Sequence, residues 1–206
     1  MHLLTLIFGI VLFPKAYTLS CYSCTSGSSD ICTDTEECPL QRHQCGAIRV
    51  TSYPGDLKLD EINSQSCVLP EECLEFSVNF GISRITSECC TSELCNSQPA
   101  SGRSKTIPNG KKCFQCDGPD GNCTTTLNCE GNEDHCITST VKVGNEKKTM
   151  KGCASKMGCS MEIAQISQVI GAEGFCCQGI FCNSASSTSA GLLLLVAPLV
   201  SLVVLS

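Results

Sequence analysis

The chain has 206 residues, 20 of them cysteine, no tryptophan and a formal net charge of −6. One residue in ten is cysteine, which is typical of a disulfide framework in an oxidising compartment and argues against a cytosolic enzyme. Because nucleic-acid binding depends on clustered Lys and Arg, the acidic balance argues against a nucleic-acid partner.

The first 18 residues are predicted to form a secretory signal peptide. Leu3 to Phe13 is an apolar run of 11 residues, whereas a membrane-spanning helix needs about 20. The small side chains of Ala16 and Thr18 fit the cleavage preference, so we expect the mature chain to begin at Leu19. The alternative, a buried N-terminal helix, is less favoured because the run lacks a polar face.

The middle of the chain is an internal duplication. The intervals between successive cysteines are 3, 8, 6, 7, 22, 6, 16, 1 and 5 in a first copy, and 3, 7, 6, 7, 17, 6, 17, 1 and 5 in a second. Such self-similarity is the signature of repeated domains. The cysteines stand at positions 21, 24, 32, 38, 45, 67, 73, 89, 90 and 95, and at 113, 116, 123, 129, 136, 153, 159, 176, 177 and 182.

The duplication predicts two domains, at 19–96 and 113–183, joined by an exposed Pro/Gly/Ser-rich linker at 97–112. Domains of this size bury little apolar surface, so disulfides at roughly 2 to 4 kcal/mol each must supply much of the stability. The spacing leaves the pairing open. Only the adjacent pairs, Cys89-Cys90 and Cys176-Cys177, are constrained, since neighbouring cysteines must bond to different partners.

Hydrophobic alternation predicts strands in both copies. Residues 47–51 alternate and reverse near 53–56, and residues 137–143 and 146–151 form a second predicted hairpin. Residues 76–82 also alternate as a strand. In the second copy, 162–170 has apolar residues at helical spacing, which predicts a short helix in the corresponding gap.

The C-terminal residues predict a glycolipid (GPI) anchor signal. Leu192 to Ser206 carries no charge and is short for a membrane span, and it follows a stretch of small polar residues from 183 to 191. The expected attachment residue is Asn183 or Ser184, with 184–206 removed; Asn183 directly follows Cys182, which restricts access to it. A single-pass helix or a retained tail is the alternative.

Each copy opens with C-x-x-C, at Cys21 and at Cys113, and each ends in a vicinal cysteine pair followed by Cys-Asn, at Asn96 and at Asn183. This pattern resembles the urokinase-receptor and lymphocyte-antigen-six superfamily of three-finger domains. The resemblance implies an all-β, disulfide-rich fold of two tandem three-finger (snake-toxin-like) domains, in which both asparagines hydrogen-bond within the base. It also implies these disulfides: Cys21 with Cys45, Cys24 with Cys32, Cys38 with Cys67, Cys73 with Cys89, Cys90 with Cys95, Cys113 with Cys136, Cys116 with Cys123, Cys129 with Cys153, Cys159 with Cys176, and Cys177 with Cys182.

The sequence predicts no catalytic residue, cofactor or metal site. The C-x-x-C pairs are expected to oxidise in a secreted chain, and no βαβ pattern surrounds them. His43 and His135 both stand just before the fifth cysteine of a copy, which indicates position in the repeat and not catalysis. Asn122 lies in the single N-glycosylation sequon, which Cys123 at its middle position weakens.

Charge suggests a partner for the first copy. Residues 19–96 hold 12 acidic and 4 basic residues, against 8 and 5 in 113–183. Acidic clusters at 34–37, 60–61 and 71–72 could steer a basic extracellular protein, although a solvated acidic face that aids solubility is the simpler interpretation.

The predicted function is therefore a non-catalytic, GPI-anchored binding protein or receptor on the outer leaflet of the plasma membrane. Finger tips such as 53–55 are expected to contact an extracellular protein ligand. The alternative comes from a resemblance to the phospholipase A inhibitor gamma subunits, and it is a secreted inhibitor of phospholipase A enzymes.

Overall fold

The computed structural model describes residues 18–26, 31–53, 60–100, 107–117, 122–143, 146–160 and 173–184. Within these ranges the chain forms twelve β-strands and one helix of five residues. The all-β, disulfide-rich fold predicted from the sequence is confirmed.

Contacts divide the chain into two units whose boundaries differ from those of the sequence copies. The first unit contains Met1–Arg49, Asp60–Leu74 and Ser87–Ser101. The second contains Val50–Leu59, Glu75–Thr86 and Gly102–Ser206. The segment Glu75–Thr86 therefore belongs to the first copy in sequence but to the second unit in structure.

The first unit is built from short antiparallel pairs around a sulfur-rich core. Strand β1 (Ser20–Tyr22) pairs with β3 (Thr35–Glu37), and β2 (Cys24–Ser26) pairs with β5 (Asp60–Val68). Strand β4 (Gln44–Ser52, whose last three residues lie in the second unit), which the alternation at 47–51 predicted, lies on the other side of β5. The core is formed by fully buried cysteines, against which Leu19 packs, and its members are Cys21, Cys38 and Cys45.

The second unit contains the strands β6 (Phe76–Asn79), β7 (Ser83–Cys90, whose last four residues lie in the first unit), β8 (Pro108–Asp117), β9 (Asn122–Glu130), β10 (His135–Val143), β11 (Glu146–Ala154) and β12 (Glu173–Cys177). Five of these strands neighbour one another in the order β12-β10-β11-β6-β7. The predicted hairpin of the second copy is confirmed, since β10 pairs with β11 along its whole length. Strands β8 and β9 form a separate two-stranded sheet.

The helix α1 (Lys156–Ser160) precedes the segment where a helix was predicted. It starts after Ser155, whose Oγ accepts a hydrogen bond from the Gly158 amide at 3.2 Å and so caps the first turn. The predicted helix at 162–170 lies outside the described residues.

The end of the predicted linker belongs to a strand. Residues 108–112 begin β8, and Pro108 is registered opposite Glu130. A register shift separates Pro108 from Lys112, and Gly110 between them has a φ of 87°. Because this irregularity interrupts the alternation of side chains, the residue pattern does not predict a strand here.

Candidate functional site

Ten disulfides form the base of the two units, and no cysteine is free. They join the same pairs that the resemblance implies: Cys21 with Cys45, Cys24 with Cys32, Cys38 with Cys67, Cys73 with Cys89, Cys90 with Cys95, Cys113 with Cys136, Cys116 with Cys123, Cys129 with Cys153, Cys159 with Cys176, and Cys177 with Cys182. Groups of three sulfurs come within 4.8 Å of one another in each base. Since each of these sulfurs is already in a disulfide, the groups offer no thiolate to a metal ion.

A buried asparagine closes each base in the same way. Asn96 accepts a hydrogen bond from the Tyr22 amide at 2.9 Å and donates to the carbonyls of Tyr22 and Gly46, both at 3.0 Å. Asn183 accepts from the Phe114 amide at 3.0 Å and donates to the carbonyls of Phe114 and Ile137 at 3.0 and 3.2 Å. Each side chain therefore links the end of its copy to the first strand of that copy.

Strands β4 and β5 of the first unit expose apolar side chains on one face. Ile48 is 42% exposed and Ile62 is 49% exposed. The alternate residues on the same strands, including Ala47, Glu61 and Asn63, are buried. Because side chains alternate across a strand, Ile48 and Ile62 project from the opposite face, which we call the outer face of β4 and β5.

The second unit contains a buried ion-pair cluster that the sequence did not predict. Glu133 is fully buried, and its Oε1 accepts from Arg84 Nη2 at 2.7 Å. The other guanidinium nitrogen, Nη1, lies 2.5 Å from Glu130 Oε2. One feature of the sequence could have indicated this cluster. Glu133 stands four residues after Cys129, whereas the corresponding position of the first copy, four residues after Cys38, holds the opposite charge of Arg42.

Two family models match this chain, one over each cysteine-containing copy. The family model described as u-PAR/Ly-6 domain matches residues 17–98, and the model described as snake toxin and toxin-like protein matches residues 112–183. Lymphocyte antigen 6E of Gallus gallus is 33% identical over 92 residues, which cover 43% of this chain and 68% of that protein. The chain belongs to the u-PAR/Ly-6 family. The family resemblance predicted from the cysteine pattern is thus confirmed.

Two further relatives in the family are matched over part of their length. Prostate stem cell antigen of Mus musculus is 31% identical over 88 residues, covering 42% of this chain and 66% of that protein. The urokinase plasminogen activator surface receptor of Mus musculus is 25% identical over 126 residues, covering 59% of this chain and 37% of the receptor. The chain therefore spans less than two thirds of either protein.

The two histidines of this u-PAR/Ly-6 chain make local contacts. The Nδ1 of His43 lies 2.9 Å from the carbonyl oxygen of Leu40. The Nδ1 of His135 lies 2.7 Å from Asp134 Oδ1, and its Nε2 lies 3.1 Å from Gln178 Nε2. Neither histidine is hydrogen-bonded to a serine or threonine hydroxyl in the contacts described for it, so these contacts give neither ring a nucleophile to activate.

The predicted acidic surface is only partly exposed. Residues 34–37 and 71–72 are exposed, and Glu71 pairs with Arg42 at 3.1 Å. The assignment of Glu61 to this surface is wrong, because Glu61 is buried, lies 3.9 Å from Arg49 and accepts a hydrogen bond from Asn63 at 3.0 Å. Neutralising Glu61 would therefore disturb the interior and not only the surface potential.

Glu93 accepts hydrogen bonds that make its carboxyl group more acidic by lowering its pKa. Its carboxylate accepts hydrogen bonds from Ser20, including one from the Ser20 amide at 3.1 Å, and these hold the pKa of Glu93 below its ordinary value. The carboxylate is fully exposed. It links β1 to the closing segment of the first copy.

The other predicted positions are the finger tip at 53–55 and the glycosylation sequon at Asn122. The expectation that Tyr53 is an exposed tip is wrong: its side chain is buried and its amide donates to the Ile82 carbonyl at 2.6 Å. Positions 54 and 55 lie outside the described residues. Asn122 begins β9 opposite Asp117. Among the described residues, no helix is long and apolar enough to cross a membrane.

Proposed function

We propose that this u-PAR/Ly-6 protein is a non-catalytic cell-surface receptor that binds an extracellular protein through the outer face of β4 and β5. The observation that carries the proposal is the exposure of Ile48 and Ile62 on strands whose alternate side chains are buried. Removing apolar surface from water favours association with a partner. One of the relatives is named as a surface receptor, which supports the same class of function.

The proposed partner is a protein with a basic surface around an apolar patch. The first copy holds 12 acidic and 4 basic residues between 19 and 96, and exposed carboxylates lie on β3 and at 71–72. Opposite charge speeds encounter and disfavours acidic competitors, while apolar contact supplies most of the lifetime of the complex.

Substitution of the outer face tests the proposal. A partner captured by proximity labelling on cells that display the protein should bind Ile48→Ser and Ile62→Ser at least about tenfold more weakly. The matched controls are Ile107→Ser and Ile180→Ser, which change isoleucines of the second unit that are 78% and 62% exposed. Equal weakening by the controls would contradict the assignment of the outer face.

We further propose a GPI anchor attached at Ser184. Asn183 is buried and makes three hydrogen bonds within the base, whereas Ser184 is exposed. Attachment at Ser184 leaves Asn183 in place within the fold and puts the modified residue where an enzyme can reach it.

Two measurements test the anchor. A phosphatidylinositol-specific phospholipase C should release the protein from cells, and mass spectrometry of the released form should find Ser184 as the last residue. A C-terminal peptide ending at Asn183 would contradict the position. Protein found in the medium without enzyme treatment, with dose-dependent inhibition of phospholipase A, would instead support the secreted-inhibitor function.

A further inference from the structure

The edge of β11 accepts a strand from the first copy. Asn79 and Val78 of β6 are registered opposite Cys153 and Ala154 of β11. Beyond β11 the contact continues, since the Ser155 amide donates to the Ser77 carbonyl at 2.8 Å and the Ser77 amide donates to Ser155 Oγ at 3.1 Å. Main-chain pairing of this kind gives affinity when a strand is added to the edge of a sheet.

Two glycines of the second copy leave space for that strand. A Cβ atom on Gly152 would collide with the Asn79 carbonyl oxygen and lie 2.9 Å from Phe80 Cα. A Cβ on Gly158 would lie 2.9 Å from the Ser77 carbonyl oxygen. Since the colliding atoms are backbone, side chains at these two positions would displace β6.

Buried charge selects what the added strand carries. Glu133 Oε1 accepts from Ser77 Oγ and from Arg84 Nη2, both at 2.7 Å, and its Oε2 accepts from Asn79 Nδ2 at 3.5 Å. The Glu130 amide donates to the same Oε2 at 3.0 Å. A carboxylate buried in this way is strongly destabilised when its cationic partner is removed, so the pocket requires an arginine.

We propose that the second copy carries a docking site for an arginine-bearing β-strand, and that residues 75–86 of the same chain occupy it. The site consists of the edge of β11, the two glycines, and the carboxylates of Glu130 and Glu133. No disulfide joins a cysteine of 21–95 to one of 113–182. The docked strand therefore holds the two copies together without a covalent bond other than the main chain.

Cutting the main chain in the full-length protein tests this docking. A specific protease site replaces residues 101–106 of the connector, and the cut protein is passed over a gel-filtration column under non-reducing conditions. The two halves should elute together although no covalent bond joins them. Separation of the halves of the unsubstituted protein would overturn the proposal.

Substitutions then identify the contacts that hold the halves. Arg84→Ala and Glu133→Gln should each weaken the association on the order of a hundredfold or more, because each leaves a buried polar group without its charged partner. Arg42→Ala is the matched control, since Arg42 forms an exposed ion pair with Glu71 and should leave the association unchanged.

If Arg84→Ala does not fold well enough to be secreted, a more conservative substitution at the same position tests the same contact. Arg84→Lys keeps the charge but reaches only one of the two carboxylates, and its cut halves should separate more readily than those of the unsubstituted protein. Association unchanged in Arg84→Lys and Glu133→Gln, with native disulfides verified by mass spectrometry, would overturn the proposal.

Discussion

At the scale of single residues, each copy places the side-chain amide of an asparagine at the same point of its disulfide-bonded base. Asn96 and Asn183 each serve one backbone amide and two backbone carbonyls in a region without solvent. The sequence pattern predicted this role because Cys-Asn ends both copies. Arg84 and Glu133 lacked such a signal, since their contact joins residues that are 49 positions apart.

Removing either asparagine should destabilise its own unit. Asn96→Ala and Asn183→Ala each leave buried backbone groups without partners, at a cost of about 1 to 3 kcal/mol in the free energy of unfolding. Denaturant unfolding monitored by circular dichroism measures this cost, with the exposed Asn128→Ala as control. A loss no larger than that of the control would show that water replaces the lost contacts.

The link between Glu93 and Ser20 should make stability depend on pH. Because hydrogen bonds from Ser20 lower the pKa of Glu93 in the folded protein, the link stabilises the fold above the carboxyl's unfolded pKa. That contribution is lost as the pH falls through the lower folded pKa.

Unfolding measured at neutral and at acidic pH tests this dependence. Glu93→Gln should be less stable than the unsubstituted protein at neutral pH, and the two should converge under acid. Glu37→Gln changes another exposed carboxylate of the same unit and serves as control. A stability difference between Glu93→Gln and the unsubstituted protein that did not change with pH would contradict the assigned cause.

At the scale of strands and helices, alternation predicted the elements whose two faces differ in burial. Strand β4 follows this pattern, since Ala47 and Thr51 are buried and Ile48 is exposed, and so does the start of β10, where Ile137 and Ser139 are buried. The start of β8 escaped prediction because its register is interrupted at Gly110. The pairing of β6 with β11 also escaped it, since no local pattern specifies which distant edge a strand will meet.

The glycine at position 152 should be required for the β6–β11 contact. Gly152→Val places a branched side chain against the backbone of Asn79 and Phe80, and we expect a loss of about 1 to 3 kcal/mol in stability. Thr149→Val puts the same side chain at an exposed position of the same strand and is the control. Hydrogen exchange at the Ser155 amide should quicken in Gly152→Val alone; equal exchange in both variants would contradict the expectation.

At the scale of the whole molecule, most of what could be predicted came from the number and spacing of the cysteines and from the net charge. Cysteine spacing led to the family and to the all-β fold, because disulfide-rich domains of this size depend on covalent links for stability. It could not locate the outer face of β4 and β5, where Ile48 and Ile62 differ from neighbouring apolar residues only in the direction in which they project.

The bonds that close the base of the second copy also determine how a pulling force at its C-terminal end is transmitted. Cys182 is bonded to Cys177, and the next residue, Asn183, is fastened to β8 and β10 through Phe114 and Ile137. A pull applied beyond Ser184 would act on the three hydrogen bonds of Asn183 and on the Cys177–Cys182 disulfide, through which it passes to β8, β10 and β12. The disulfide would keep Cys182 joined to the end of β12 after those hydrogen bonds had broken.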